Sequence, residues 1–332
     1  VIIDANKFEY NKKLNLLKTD GNIKINDKEL DLIITSDKAI YYKNKEQIFT
    51  NGNSKAIYEN NLIVTANEFE FDKFKNILKA IGNVKVKNLK ENYEIFSEKL
   101  TYFKNSQKII TYGKTKSLIK NQYTINSDDV TYLIDNNILS SKKKTDINDN
   151  KSNFYFLDQF SFDANKEQLK GKGILVITNF GLPKSDKIYF SDGIFNLKKN
   201  VFVAGKTKIE ADKKIFDNQN QDPRLIGVSS KGQDNKIIVN KGVFTSCDNN
   251  ENCPPWAIYA DKIIHDKDKK QLEYDNAVLK IYDFPVLYFP KFFHPDPSVK
   301  RQSGFLRPLL NESSILGSSL YLPYFKVLSE SK

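Results

Sequence analysis

The chain has 332 residues, and its 52 lysines and arginines outnumber its 41 aspartates and glutamates to give a formal net charge of +11. No apolar stretch approaches the roughly 18 residues that a membrane-spanning helix needs, which excludes that class of protein. Methionine is absent and the first residue is Val1, so we expect a part of a longer product, with removal of a signal peptide and a cut at the C-terminus both left open.

A weak repeat of about 30 residues is the main feature of the sequence. Segments 17–25, 78–86 and 201–209 align on a glycine, and further copies pass through Gly52, Gly113 and Gly173. Apolar or small residues occupy every second position, which is the period of a β-strand with one buried face.

The other half of each repeat alternates in the same way, with one slip. Its spacing changes from two residues to three, which predicts a bulge or bend. The aligned positions are Ile3, Ala5, Phe8 and Tyr10; Val64, Ala66, Phe69 and Phe71; Ile95, Ser97, Leu100 and Tyr102; and Ile125, Ser127, Val130 and Tyr132. Each repeat therefore predicts two strands and a turn, and stacked copies would share one elongated all-β interior.

The basic composition does not by itself indicate a nucleic-acid site. Only Arg224, Arg301 and Arg307 are arginines, whereas guanidinium groups make most phosphate and base forks. The lysines fall between the apolar positions, so we expect a solvated face and no nucleic-acid partner. Attraction to phosphorylated lipid headgroups, about 1 kcal/mol per lysine, stays open.

Reactive groups are scarce, and we predict no enzyme, no cofactor and no metal site. The histidines are His265, expected at the solvent-facing end of a strand, and His294, expected in a proline-rich turn. Neither has a neighbourhood that suggests a nucleophile or a metal set.

Further along the chain, residues 217–223 predict a loop, and the two cysteines follow it. Cys247 and Cys253 flank a polar turn. A disulfide between them would add roughly 2 kcal/mol in an oxidising compartment, and two free thiols are the alternative.

Prolines and aromatic residues crowd residues 282–297. Proline lacks the donor that a central strand needs, so this segment predicts an edge, a junction or a corner. The aromatic side chains suggest a seam buried against another part of the protein.

Several motifs in this region together resemble the LptD family of outer-membrane lipopolysaccharide-assembly proteins, also called OstA. They are Phe244-Thr245-Ser246-Cys247, Trp256-Ala257-Ile258, Phe284-Pro285-Val286-Leu287-Tyr288-Phe289-Pro290, His294-Pro295-Asp296-Pro297-Ser298-Val299-Lys300-Arg301, Ser303-Gly304-Phe305-Leu306 with Pro308, and Leu322-Pro323-Tyr324-Phe325. The motifs cover about residues 240–325, and the upstream repeat resembles more weakly the LptA-like fold of periplasmic lipopolysaccharide-transport proteins.

The resemblance implies an open periplasmic β-jellyroll over residues 1–283, then a proline and aromatic junction with the first strands of a truncated outer-membrane β-barrel over residues 284–332. Pro308 and Pro323 match prolines that weaken the barrel seam into a lateral gate. Cys247 matches a cysteine that joins jellyroll to barrel, so an interdomain disulfide competes with the local one.

The implied function is lipopolysaccharide transport and assembly at the outer membrane, with this part of the chain mostly periplasmic. The implied partners are lipopolysaccharide, an LptA-like bridge protein that adds a strand at the N-terminal edge, and an LptE-like lipoprotein plug in the barrel. Two alternatives are a periplasmic bridge or adaptor of the same fold, and a structural β-solenoid without lipid binding.

Shelter for acyl chains would come from inward-facing positions of the stack, because each exposed CH₂ costs about 0.8 kcal/mol. Small residues at the bend either leave room for lipid or accommodate larger protein side chains. The candidate groove residues are Ile3, Ala5, Phe8, Ile23, Ile34, Ser36, Val64, Ala66, Phe69, Phe71, Val84, Ile95, Ser97, Leu100, Ile125, Ser127 and Val130.

Overall fold

The computed structural model describes residues 1–178, 185–211, 222–233, 235–247, 255–296, 299, 303–305, 309–313 and 317–327. Its fold is all-β, and the described helices are the single 3₁₀ turns Lys43–Lys45 and Lys104–Ser106. In this part of the chain no helix has the length and apolar character needed to cross a membrane. The chain divides into two compact units, residues 1–180 with 192–199 and residues 181–191 with 200–332.

The first unit is a series of antiparallel strands. They are β1 (Ile2–Asp4), β2 (Lys7–Asn11), β3 (Leu16–Asp27), β4 (Leu32–Tyr42), β5 (Gln47–Tyr58), β6 (Leu62–Asp72), β7 (Ile77–Asn88), β8 (Tyr93–Phe103), β9 (Lys108–Ile119), β10 (Tyr123–Asp128), β11 (Thr131–Leu133), β12 (Ile138–Ser141), β13 (Thr145–Asp149), β14 (Phe154–Leu157), β15 (Gln159–Asp163), β16 (Gln168–Ile177) and the last residues of β17 (Lys187–Asn196). From β3 to β9 each strand pairs with the next in sequence.

Each long strand bends near its middle, where the ladder skips residues. Between β4 and β5 the register passes from Thr35 opposite Lys55 to Lys38 opposite Asn51. Gly52 lies in this gap with a φ of +82°, a left-handed conformation that glycine adopts without steric cost. Equivalent shifts recur along β3 to β9, which confirms the bend predicted from the spacing.

The bends divide the first unit into two arms that face each other. The first arm contains residues 22–27, 32–36, 53–58, 62–67, 83–88, 93–97 and 114–119, then β10, β13, β14 and the end of β16. The second arm contains β2, residues 16–20, 38–42, 47–51, 68–72, 77–81, 99–103 and 108–112, then β11, β12, β15 and the start of β16. This is a β-jellyroll of stacked two-strand repeats, as the sequence predicts.

Burial alternates along both arms, so one side chain in two enters the space between them. The strand β6 reads buried, intermediate, buried, intermediate, buried up to its bend. Several of the largest inward side chains are under 2% exposed, and they include Tyr93, Tyr102, Tyr132, Phe71, Phe162, Leu78 and Ile95. The core of the first unit is therefore the interface of its own two arms.

The second unit continues the same strand pattern. It contains the start of β17, β18 (Val201–Ala204), β19 (Thr207–Glu210), β20 (Arg224–Gly227), β21 (Ser229–Gln233), β22 (Lys236–Thr245), β23 (Trp256–Asp266), β24 (Gln271–Ile281), β25 (Phe284–Pro295), β26 (Gly304–Phe305), β27 (Leu309–Ser313), β28 (Gly317–Tyr321) and β29 (Tyr324–Phe325). Strands β22 to β25 pair in sequence. The pairs β26–β29 and β27–β28 form separate two-stranded sheets.

Candidate functional site

The candidate groove residues lie mostly between the arms. Ile23, Ile34, Val64, Ala66, Phe69, Phe71, Val84, Ile95, Leu100, Ile125 and Val130 are buried, as are Ser36, Ser97 and Ser127. At the N-terminal end, in contrast, Ile3 and Ala5 are half-buried and Phe8 is 54% exposed. The structure thus brings the predicted set into one apolar interior, with its first members at a partly open end.

The small polar residues of the set hold the bends. The hydroxyl of Ser36 donates to the carbonyl of Lys38 at 2.8 Å, and that of Ser97 donates to the carbonyl of Lys99 at 3.0 Å. Both acceptor carbonyls belong to the residue at which the ladder resumes after the register shift. The two serines therefore have a structural role at the bends.

Aromatic pairs join the two arms at the side opposite the bends. Their ring centroids are 5.1 Å apart for Tyr58 and Tyr102, 4.5 Å for Tyr93 and Tyr132, 5.1 Å for Tyr123 and Phe162, and 6.4 Å for Tyr155 and Phe195. In the first three pairs one ring comes from the first arm and one from the second. We call this side of the unit the mouth and these pairs the aromatic ladder, because they close the mouth at regular intervals.

The ladder tyrosines are neutral, and several of them donate hydrogen bonds. Burial raises the pKa of Tyr93 to about 12, and burial first of all raises the pKa of Tyr132 far above its usual range. The Tyr132 hydroxyl donates to Asn137 Oδ1 at 2.8 Å, and the Tyr123 hydroxyl donates to Glu167 Oε2 at 2.9 Å. These bonds anchor the rings to turns at the edge of the mouth.

Ion pairs add a second set of contacts across the mouth. Lys73 Nζ, from the turn after β6, lies 3.1 Å from Oδ2 of Asp27, the last residue of β3, and 2.8 Å from Oε2 of Glu29 in the turn that follows. The hydrogen bond to Glu29, with the further attraction of Asp27, holds the pKa of Lys73 above its usual range. Lys104, one repeat after Lys73, donates to the carbonyl of Leu30. The mouth is therefore closed by both apolar and charged contacts.

The two arms are staggered by about one repeat. Tyr58 at the end of β5 meets Tyr102 in β8, and Lys73 after β6 meets the turn after β3. Within the described residues, the second-arm strands nearest the N-terminus therefore have no first-arm counterpart. Along one inward row, Tyr10 in β2 is 50% exposed, its neighbours in β3 and β4 are half-buried, and Ile48 in β5 is 2% exposed.

The two histidines lie together at the end of the second unit's sheet. His294 is in β25, where the Tyr274 hydroxyl donates to its Nε2 at 2.7 Å and its Nδ1 donates to the Pro295 carbonyl at 2.7 Å. Burial lowers the pKa of His294. His265, half-buried near the end of β23, contacts Asp296 Oδ2 through its Nε2, so it is less solvated than the sequence suggests. His294 lies in a strand where the sequence predicts a turn. Among the described residues no cluster of three or more metal-ligating side chains exists.

The structure describes only some of the remaining predicted site residues. Cys247 is half-buried, with its Sγ 3.6 Å from the Trp256 carbonyl oxygen, and Pro323 is half-buried between β28 and β29. Cys253, Pro308 and nearly all of the predicted loop at 217–223 lie outside the described residues. The disulfide pairing, the lateral gate and the boundary at residue 283 stay predictions.

The aromatic ladder was not predicted, although its signal is in the sequence. Tyr102, Tyr132 and Phe162 recur at intervals of about 30 residues, as do Tyr93 and Tyr123. An aromatic residue at a fixed place beside the turns marks a contact that successive repeats make.

No profile of a known protein family matches the chain. The LPS-assembly protein LptD of Yersinia enterocolitica is 37% identical over 95 residues, which are 29% of this chain and 12% of that protein. The LPS-assembly protein LptD of Escherichia coli K12 is 32% identical over 98 residues, 30% of this chain and 12% of that protein. The matched stretch thus spans about an eighth of the length of these relatives.

Among the solved structures that align with part of the chain is LptH, described as the LptA homologous periplasmic component of the lipopolysaccharide transport device of Pseudomonas aeruginosa. It has a TM-score of 0.33 at 13% identity over 36% of this chain and 87% of that one. The architecture given above depends on the chain's own strand pairing.

Proposed function

We propose that this chain carries the acyl chains of lipopolysaccharide between the two arms, as the jellyroll of an outer-membrane lipopolysaccharide-assembly protein. The observation that carries the proposal is the 37% identity over 95 residues to a protein named for that assembly. The apolar interior supports it, because its walls are residues such as Val64, Phe69 and Leu100, each 2% exposed or less.

The energetics of transfer favour such an interior. Exposing an acyl chain of ten carbons to water costs roughly 8 kcal/mol of free energy. Between the arms, lipid methylenes would replace the contacts that inward side chains now make with each other. Since both states keep the apolar surface dry, opening the arms around a lipid costs far less than opening them in water.

Entry in this scheme requires the mouth to open. The rings of the aromatic ladder separate and the bonds of Lys73 to Asp27 and Glu29 break, while the bends act as the fixed side. Side-chain contacts across the mouth are fewer and weaker than the continuous ladders within each arm, so we expect the mouth to yield first.

A photo-crosslinking experiment tests lipid carriage. The chain is produced with a diazirine analogue of leucine, mixed with lipopolysaccharide, irradiated, and mapped by mass spectrometry. We expect adducts at the inward Leu78 and Leu100, both 0% exposed without lipid, and far fewer at the outward Leu118 and Leu133 of the same sample. Equal labelling of both groups, or none at the inward pair, would contradict the proposal and favour a structural solenoid.

Linking the mouth tests the route of entry. Cysteines at Glu29 and Lys73, whose charged atoms are 2.8 Å apart, can be joined by a short bismaleimide. We expect the linked form to lose the inward adducts and the same variant capped with a monomaleimide to keep them. Undiminished labelling of the linked form would exclude entry through this part of the mouth.

A bridge protein of similar architecture would dock at the N-terminal end. The strands β1 and β2 pair with β3, and within the described residues their other edges carry no strand. Strand addition there would also cover Phe8 and Tyr10. We expect proline at Ile3 and Ala5 to abolish binding of the LptA-like bridge protein, while proline at Lys12, in the β2–β3 turn, leaves binding intact; equal binding by both would refute this docking mode.

The finer parts of the assembly follow from the same proposal. An outer-membrane location with a periplasmic jellyroll, a lateral gate at Pro308 and Pro323, and an LptE-like plug all concern the link to a barrel. A bridge or adaptor protein of the same fold is the second candidate. The reading frame after Lys332 distinguishes the two, because only the assembly protein continues into barrel strands.

A further inference from the structure

The outer surface of the first arm carries lysines in one row across the sheet. Its direct cross-strand neighbours are, in order, Lys24, Thr35, Lys55, Thr65, Lys85, Phe96 and Lys116. Neighbouring strands lie about 4.8 Å apart, so successive lysines stand about 10 Å apart on a line about 29 Å long. We call these seven residues the lysine row.

Most of this positive charge is not neutralised by the protein. Lys24, Lys55 and Lys116 are exposed, and no ion pair within the described residues involves them. Lys85 lies 3.0 Å from Glu94 Oε2. Since Lys87 also contacts Glu94, at 3.5 Å, one carboxylate serves two lysines on this face.

The outer surface of the second arm has no such excess. Across the strands from β3 to β9, its lysines alternate with acidic residues. For example, Lys79 Nζ lies 2.8 Å from Glu70 Oε1. The outward charged residues there are Lys18, Asp20, Lys38, Glu68, Glu70, Asp72, Lys79, Lys99 and Lys108. The charge asymmetry therefore belongs to one face of the jellyroll and is not a general effect of a lysine-rich composition.

We propose that the lysine row binds a linear anionic polysaccharide laid across the strands of the first arm. A line of evenly spaced charges fits a chain with one negative group at each repeat, whereas a lipid surface would favour a broad patch. Thr35, between the lysines, offers a hydroxyl donor to sugar oxygens, whereas Thr65, whose hydroxyl donates to the Lys85 carbonyl at 3.5 Å, offers an acceptor. Phe96, with Lys85 Nζ 5.1 Å from its ring centre, offers an aromatic face to a sugar ring.

The test uses hyaluronate oligosaccharides, which carry one carboxylate in every second sugar, and the full chain in low salt. Isothermal calorimetry compares the wild type with a double variant, Lys55→Gln with Lys116→Gln. We expect affinity to fall roughly 25-fold, about fivefold for each lysine, and wild-type binding to weaken as salt screens the charges. Far-UV circular dichroism verifies that both proteins fold alike.

A matched variant, Lys38→Gln with Lys99→Gln, removes the same charge from exposed positions of the second arm. We expect it to bind hyaluronate like the wild type. Equal losses in the two variants would overturn the proposal by showing a general charge effect, and so would absence of wild-type binding. Binding to vesicles containing phosphatidylglycerol that depends on Lys55 and Lys116, without hyaluronate binding, would assign the row to a lipid surface and also overturn it.

Discussion

Replacing Tyr58 with phenylalanine should stabilise the chain. The Tyr58 side chain is 2% exposed, and its hydroxyl oxygen has no hydrogen-bond partner among the described residues. Burying a hydroxyl without a partner costs about 1–3 kcal/mol, and phenylalanine keeps the ring without that group. Because the ring contact with Tyr102 is retained, we expect the free energy of unfolding to rise by about 1 kcal/mol.

The same substitution at Tyr132 should have the opposite effect. Tyr132 is 0% exposed and also belongs to the aromatic ladder, but its hydroxyl donates to Asn137 Oδ1 at 2.8 Å. Loss of one such bond lowers stability by about 0.5–1.5 kcal/mol, and more where the abandoned acceptor stays buried. The pair of variants thus changes one atom in each case and predicts opposite signs.

Urea unfolding and amide hydrogen exchange measure the two effects. Because each repeat contacts mainly its neighbours, exchange should report the change in the strands beside the substituted ring. We expect slower exchange around β5 and β8 for Tyr58→Phe and faster exchange around β11 for Tyr132→Phe. Destabilisation by both variants would refute the reasoning, because it would mean that the Tyr58 hydroxyl has a favourable partner.

Three further outcomes follow from individual side chains. A Cβ at Gly52 would lie 2.5 Å from a carboxylate oxygen, whereas one at Gly113 would meet nothing within 4 Å. Both glycines have positive φ. In urea unfolding, Gly113→Ala should therefore lower the free energy of unfolding by about 1–2 kcal/mol, and Gly52→Ala should lower it more. Equal losses of unfolding free energy in the two variants would rule out a steric contribution at Gly52. Because burial lowers the pKa of His294, the unfolded chain binds its proton first as pH falls below about 6.5, and stability declines there. His294→Phe should flatten the change in melting temperature between pH 7.5 and 5.5, and an unchanged decline would assign it to other groups. Lys73→Met should lower the urea midpoint by the equivalent of about 1–2 kcal/mol, since it leaves the buried Asp27 carboxylate without its cation; a loss that disappears in an Asp27→Asn background identifies that pair.

The strand pattern and the bend could be predicted from the sequence because both are local. Alternation of apolar and polar residues fixes which side of a strand is buried. The change of spacing between Ala66 and Phe69 corresponds to the register shift between Thr65 and Glu68. Such features depend on a few neighbouring residues, so one sequence is sufficient to locate them.

The pairing of the arms could not be predicted in the same way. Tyr58 and Tyr102 are distant in sequence, and which repeat of one arm faces which repeat of the other depends on the packing of the whole interior. His294 is a smaller case of the same kind. The prolines around His294 suggest a turn. Instead, His294 pairs with Leu272, so β24 and β25 extend to that point and the imidazole is buried against Phe244.

The stagger of the arms gives the two ends of the first unit different properties. On the N-terminal side, second-arm residues such as Phe8 and Tyr10 stay exposed although their pattern is that of inward residues. Exposed apolar surface next to an unpaired strand edge is unfavourable in an isolated protein. A partner with a first-arm repeat at its own end would supply both the missing strand and the missing apolar cover. In the proposed docking mode, the same stagger that closes the mouth would leave, among the described residues at the N-terminal end, a surface for another jellyroll of this kind.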